Sequence, residues 1–268
     1  MHELQNEYSN IDYTGIISLS GTLSKINDET GHRFVVIIDE CDVLIRDNAN
    51  NKKLQEEYID FLKGLFKGSQ PSRYIALAYL TGILPIKRTM TQSALNNFDE
   101  FTMLDAGRLV SFVGFTEDEV KTLCEKYRMD FEQVKKWYDG YCLGECHIYN
   151  PIAVVNLVTK GKFKSYWSET GTYEAIVPLL NMDFEGLKTA IIEMLGGSRA
   201  EIDVSSFQND MVSFANRDDV LTYLIHLGYL GYDEDAEAAF VPNEEIRQEL
   251  TKAIRRNAWD EMIQNQRC

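Results

Sequence analysis

Proline is scarce in this chain, with five among 268 residues, and neither a low-complexity tract nor an internal repeat interrupts it. That excludes a proline-rich linker or a repeat array. No apolar run approaches the length that spans a bilayer. The first residues, Met1-His2-Glu3-Leu4-Gln5, lack the basic-then-apolar pattern of an export signal. A cytoplasmic protein with no membrane partner is expected. Cysteine is also sparse: five residues, an odd number without an export signal, read as reduced thiols rather than a disulfide framework. Positive charge is in deficit, with 27 Lys and Arg against 42 Asp and Glu, for a net charge of −15. Such a chain repels nucleic-acid phosphate at long range, so nucleic acid is not an expected partner for it alone. Local basic patches remain around Lys162 and Lys164 and at Lys87-Arg88.

What is present is ordinary globular material, 44% hydrophobic and 26% charged. A weakly helical stretch runs near Ile16 to Ile26. Phe34-Val35-Val36-Ile37-Ile38 is an unbroken, β-branched apolar run, which predicts a strand buried on both faces of a parallel sheet. It stops at Asp39-Glu40-Cys41-Asp42. Leu54, Tyr58, Phe61, Leu62 and Leu65 recur at helical spacing, and Gly68 and Pro71 close that helix. Tyr74 to Leu80 is a second buried strand, ending at Thr81-Gly82. Strand, helix, strand in this order is an α/β crossover.

Beyond about Val113 to Thr116 the pattern becomes mostly helical. Thr116-Glu117-Asp118-Glu119 is a capping box, Asp130 opens a further helix, and Asp139-Gly140 marks a turn. Asn150-Pro151 is a cap with proline at the first helical position. Helices are predicted over Phe184 to Leu195, from Asp218 through His226, and from Glu244 to about Trp259. Two short strands lie between the last two, at Tyr229 to Tyr232 and Phe240-Val241. Helix, hairpin, helix is a winged-helix-like order. The expected divisions are an α/β layer at 1–114, a helical extension at 115–204 and a winged-helix-like region at 205–268.

The chemistry centres on the first strand. A strand ending in Asp-Glu delivers two carboxylates to the carboxyl edge of a parallel sheet, where ligands bind. Asp39 is the candidate to hold Mg²⁺ through water, and Glu40 to polarise an attacking water. The same pair also suits a plain cap of the next element. Thr81, at the tip of the neighbouring strand, can bond the same water or a γ-phosphate, and Lys87 and Arg88 can supply transition-state charge or serve as solvated surface cations. The loop G-x-x-x-x-G-K-[ST], whose amides and lysine cradle phosphates, is absent from these residues. Gly161-Lys162 is followed by Phe163 and has no upstream glycine. Cys142, Cys146 and His147 lie within one short run but lack a second spaced pair, so a zinc site is weakly indicated.

Several segments together resemble the bacterial AAA-ATPase-like family. They are Val35 to Asp42 (VVIIDECD), Leu80 to Arg88 (LTGILPIKR), Thr91 to Asn97 (TQSALNN) and Val113 to Val120 (VGFTEDEV). Trp137 to Tyr141 (WYDGY), Tyr149 to Pro151 (YNP), Tyr166 to Thr172 (YWSETGT), Leu224 to Leu230 (LIHLGYL) and Val241 to Ile246 (VPNEEI) follow in the same order. The resemblance implies an ASCE-type P-loop ATPase layer, a helical extension and a winged-helix-like region, often joined to a PD-(D/E)XK nuclease-like domain. It implies ATP and Mg²⁺ as cofactors, with Asp39 in the Mg²⁺ role, Glu40 in the water-activating role and Thr81 as the sensor. The family's Walker A segment and nuclease-like domain have no counterpart in these residues. The expectation is therefore a truncated product, a partial gene model or a split subunit. Such a chain is inactive alone or dependent on a homo-oligomer, a missing N-terminal segment or a partner chain. The alternatives are a non-catalytic interaction module and, on family analogy only, a nucleic-acid-associated component of a mobile-element or defence system.

Overall fold

The computed structural model describes residues 1–48, 50–83, 95, 97–167, 173–207 and 214–256. Within them the protein is an α/β chain with small sheets, and it divides into two compact units, before and after the Glu100–Phe101 bond. Among the described residues no helix is long and apolar enough to cross a membrane.

The first unit runs α1 (His2–Glu7), α2 (Leu19–Thr30), β1 (Phe34–Ile38), α3 (Val43–Asp47), α4 (Lys52–Phe66), α5 (Pro71–Tyr74) and β2 (Ile75–Leu80). The Ser18 hydroxyl accepts from the Gly21 N–H to start α2, and Gly31, with φ +74°, ends it. The helix thus begins and ends later than apolar spacing alone suggested. Asn51 caps α4 in the same way. Its buried stripe is Gln55, Ile59, Leu62, Leu65 and Phe66, while Phe61 faces outward. Pro71 does not close this helix but opens α5, as proline does at a first helical position.

β1 and β2 pair in parallel, with Val35 opposite Leu77, Ile37 opposite Tyr79 and Ile38 opposite Leu80. The strand bounds match the apolar run, but the expected burial on both faces does not hold. Phe34, Val36, Ile38, Ile75, Ala78 and Leu80 pack on a core of Leu23, Ile45, Ile59, Leu62, Leu65, Phe66 and Tyr74. The alternate residues remain in solvent: Val35 is 58% exposed, Ile37 70%, Leu77 58% and Tyr79 45%. The reason is the period of two along a strand. Helices cover one face of this sheet, and every second side chain points to the other.

The second unit opens with β3 (Phe115–Thr116), α6 (Glu117–Tyr127), α7 (Phe131–Tyr138), β4 (Tyr141–Leu143), β5 (Cys146–Tyr149) and α8 (Pro151–Lys160). The predicted capping box forms in full, with Thr116 and Glu119 bonding each other's backbone. Asp130 and Asn150 cap the next two helices. The antiparallel sheet in the order β3-β5-β4 was not expected from the sequence. It packs with Val120, Cys124, Val134, Tyr138, Val154, Leu157 and Tyr166. Gly161, at φ +63°, terminates α8, so the Gly161-Lys162 pair is a helix stop and not a phosphate loop.

Then follow α9 (Tyr173–Leu180), α10 (Leu187–Leu195), β6 (Ala200–Glu201), α11 (Arg217–His226), β7 (Gly231–Asp233), β8 (Ala238–Phe240) and α12 (Glu244–Arg256). The hairpin falls a residue or two from its predicted place and gains a third strand, in the order β6-β8-β7. Leu180, Leu187, Val220, Leu221, Leu224, Ile246 and Leu250 lie in its core. Gly140 is required where it stands: its φ is +112°, and a Cβ there would come within 2.1 Å of the Pro242 carbonyl oxygen.

Candidate functional site

The parallel pairing of β1 and β2 brings two strand tips side by side. The ladder continues past the strand ends, with the Thr81 N–H donating to the Ile38 carbonyl (2.9 Å) and the Cys41 N–H to the Thr81 carbonyl (2.7 Å). Asp39 and Thr81 thereby become neighbours. The Thr81 hydroxyl donates to Asp39 Oδ1. The Glu40 N–H donates to the same oxygen at 3.0 Å and lies 3.4 Å from the Thr81 hydroxyl. Both carboxylates are exposed. Glu40 has φ +49°, a left-handed conformation uncommon for a residue with a side chain. It ends the strand abruptly and turns the chain at the sheet edge.

Beneath this pair lies a support that the sequence reading did not single out. Asp42 is 2% exposed and receives the Arg46 guanidinium at 3.0 Å, one helical turn on. Arg46 also approaches Glu40, at 3.6 Å. The clue was the i, i+4 spacing of Asp42 and Arg46, which places opposite charges on one helix face. Gly82 leaves room for this arrangement, since a Cβ there would sit 2.7 Å from Asp42 Oδ1. The Tyr58 hydroxyl donates to the Cys41 carbonyl (2.8 Å) and Gln55 donates to the Asn48 carbonyl (2.9 Å), so α4 holds the turn in place. Burial, then the charge of Asp42, pushes the Cys41 thiol up to about 11. It remains protonated at neutral pH and is a packing residue, not a nucleophile.

Asp39, Glu40 and Thr81 are thus brought together. Lys87 and Arg88 lie outside the described residues. The arrangement offers two solvent-facing carboxylates and a hydroxyl at the carboxyl edge of a parallel sheet. Oxygen donors of this kind suit a hydrated Mg²⁺.

Residues 2–91, which contain β1, β2 and both strand tips, match the model of the predicted AAA-ATPase family. An uncharacterised protein encoded in the vnfD 5′ region of Azotobacter chroococcum mcd 1 is 32% identical over 153 residues, covering 56% of this chain and 29% of that protein. The chain therefore spans under a third of the length of the curated relative it matches. No solved structure matches. The region that carries the acidic strand end is the region that is similar to predicted AAA-ATPases.

Proposed function

We propose that Asp39, Glu40 and Thr81 form the magnesium and water side of an ATPase site of the AAA-like class. The observation that carries this reading is the bond from Thr81 to Asp39 across adjacent parallel strand tips. A plain cap of the next element would bond forward along the chain. Here the first carboxylate accepts the N–H of Glu40 and is in addition tied sideways to the neighbouring strand by the Thr81 hydroxyl, as a sensor hydroxyl would tie it. Asp39 would hold Mg²⁺ through water, and the ion would screen phosphate charge when bound. Glu40, free of the sheet and turned outward, would orient a water and take its proton. Arg88 is the candidate for transition-state charge.

The phosphate cradle must come from residues other than these 268, because no glycine-rich loop with its lysine occurs among them. Activity therefore depends on a further segment or a partner chain. Within the second unit, the order α11, β7–β8, α12 supports a winged-helix-like reading of 205–268, and the net charge of −15 counts against nucleic acid as its target. A second reading, a non-catalytic interaction module, is favoured by the uncovered apolar sheet face at Val35, Ile37, Leu77 and Tyr79.

Calorimetry of Mg·ATP binding tests the proposal. The chain alone is expected to bind in about the millimolar range, roughly 4 kcal/mol, because only the cation side is present. Asp39→Ala should abolish that heat and Thr81→Val should weaken it. Binding that survives Asp39→Ala, or no magnesium-dependent heat at all, would overturn the reading in favour of the interaction module.

A further inference from the structure

A second cluster of donors lies in the other unit, remote in sequence from the strand tips. β3 pairs with β5, placing Thr116 opposite Ile148, so Glu117 at the start of α6 emerges beside the strand that carries His147. α7 ends at Tyr138, and Asp139 leads through Gly140 into β4, whose Cys142 is the cross-strand partner of His147. Topology thus gathers Glu117, Asp139 and His147. One donor atom from each lies within 4.8 Å of the other two. Both Asp139 oxygens stand 3.1 Å from His147 Nδ1, and the Asp139 side chain is 8% exposed.

Tyr149 is the independent observation. It lies two residues after His147 on β5, and so on the same sheet face. The residue is fully buried, and among the described residues its hydroxyl has no hydrogen-bond partner. A buried hydroxyl left unpaired costs roughly 1–3 kcal/mol. A water carried by a bound cation would relieve it.

We propose that Glu117, Asp139 and His147 bind a divalent transition-metal cation, with Tyr149 facing its water. One imidazole and two carboxylates, with a fourth position for water, is a donor set for Zn²⁺ more than for Mg²⁺ or Ca²⁺. Tetrahedral coordination would draw the donors to about 3.4 Å apart, a small contraction for three side chains. Two lysines compete for the same oxygens: Lys135 lies 3.0 Å from Glu117 and 3.9 Å from Asp139, and Lys121 2.6 Å from Glu117. Both are partly exposed on flexible stems and can withdraw to solvent. The Cys142 and Cys146 thiols do not converge on the site together. Cys142 pairs with His147 and Leu143 with Cys146, which puts the two thiols on opposite faces of the hairpin.

The test is equilibrium dialysis of the full chain against Zn²⁺ held by a chelator buffer, with bound metal counted by mass spectrometry. One equivalent is expected at micromolar or lower free metal. His147→Gln and Glu117→Gln should each weaken binding at least about tenfold, with circular dichroism unchanged. Lys135→Met should tighten it severalfold, since it removes the competing cation, whereas a merely structural ion-pair network would not respond in that direction. Asp39→Ala and Cys142→Ser should leave it unaltered, which separates this site from the strand tips and from thiol capture. No bound zinc at tens of micromolar, or binding that survives His147→Gln and disappears in a Cys142→Ser, Cys146→Ser double variant, would overturn the proposal.

Discussion

The β1–β2 sheet of the first unit and the β6–β8–β7 sheet of the second solve the same problem to different degrees. In the second, Ala238 and Ala239 are consecutive and so point to opposite faces, yet both are buried. In the first, Val36 and Ile38 pack on helices while Val35 and Ile37 remain in solvent beside their partners Leu77 and Tyr79. These four form two cross-strand pairs on one surface. A parallel sheet is normally covered on both faces, because its crossover connections carry helices to each side. A two-stranded piece with one crossover covers only one. The candidate ATPase carboxylates stand at the tip of this half-covered sheet, and the proposed cation site lies at β5 in the second unit.

Substitution in the two settings should separate them most sharply. Leu224→Ala, at a fully buried core position, is expected to cost about 2–5 kcal/mol in urea unfolding. Ile37→Ala, on the open face, should cost under about 0.5 kcal/mol. Comparable losses would mean that the open face is covered in solution and would break the contrast.

A smaller effect follows from Glu245, whose side chain is enclosed in the second unit and accepts the N–H groups of Tyr166 and Trp167. Burial outweighs those bonds and raises its carboxyl from 4.5 to about 7. The folded form then holds the proton more tightly than the unfolded chain. That stability is full below pH 4.5 and is lost as pH rises through about 7. The loss is on the order of 3 kcal/mol. Glu245→Gln keeps an acceptor oxygen and should flatten the stability profile across this window. A profile that stays unchanged would show that the carboxylate is solvated and the unit less closed than described.

An effect smaller than that at Glu245 is expected in the first unit. Tyr58→Phe removes the bond to the Cys41 carbonyl and should cost about 1 kcal/mol. It should also weaken any Mg·ATP heat by loosening the turn that carries Asp39 and Glu40. A full loss of stability would instead show that the strand tip, not the helical core, holds this unit together.

Much of the local structure was legible along the chain. β1 ends where its apolar run ends, and Thr116, Asp130 and Asn150 act at their helix starts. These features depend on neighbours within a few residues. The β3-β5-β4 sheet was not legible, because strands of two to four residues carry no usable period and exist only through their partners. The support of Glu40 by Arg46 and Asp42 was missed for a related reason. Its charges are spaced as on any solvated helix, and only burial distinguishes Asp42.

By itself, the sequence determined where the first strand stops and that two carboxylates stand at its tip, since β-branched residues end there and charged ones begin. It also determined that no phosphate loop lies within these residues. Tertiary structure alone decided that Thr81 meets Asp39 and that Glu117, Asp139 and His147 share one corner. Strand register sets both meetings, and register depends on backbone pairing between segments that are distant in the chain.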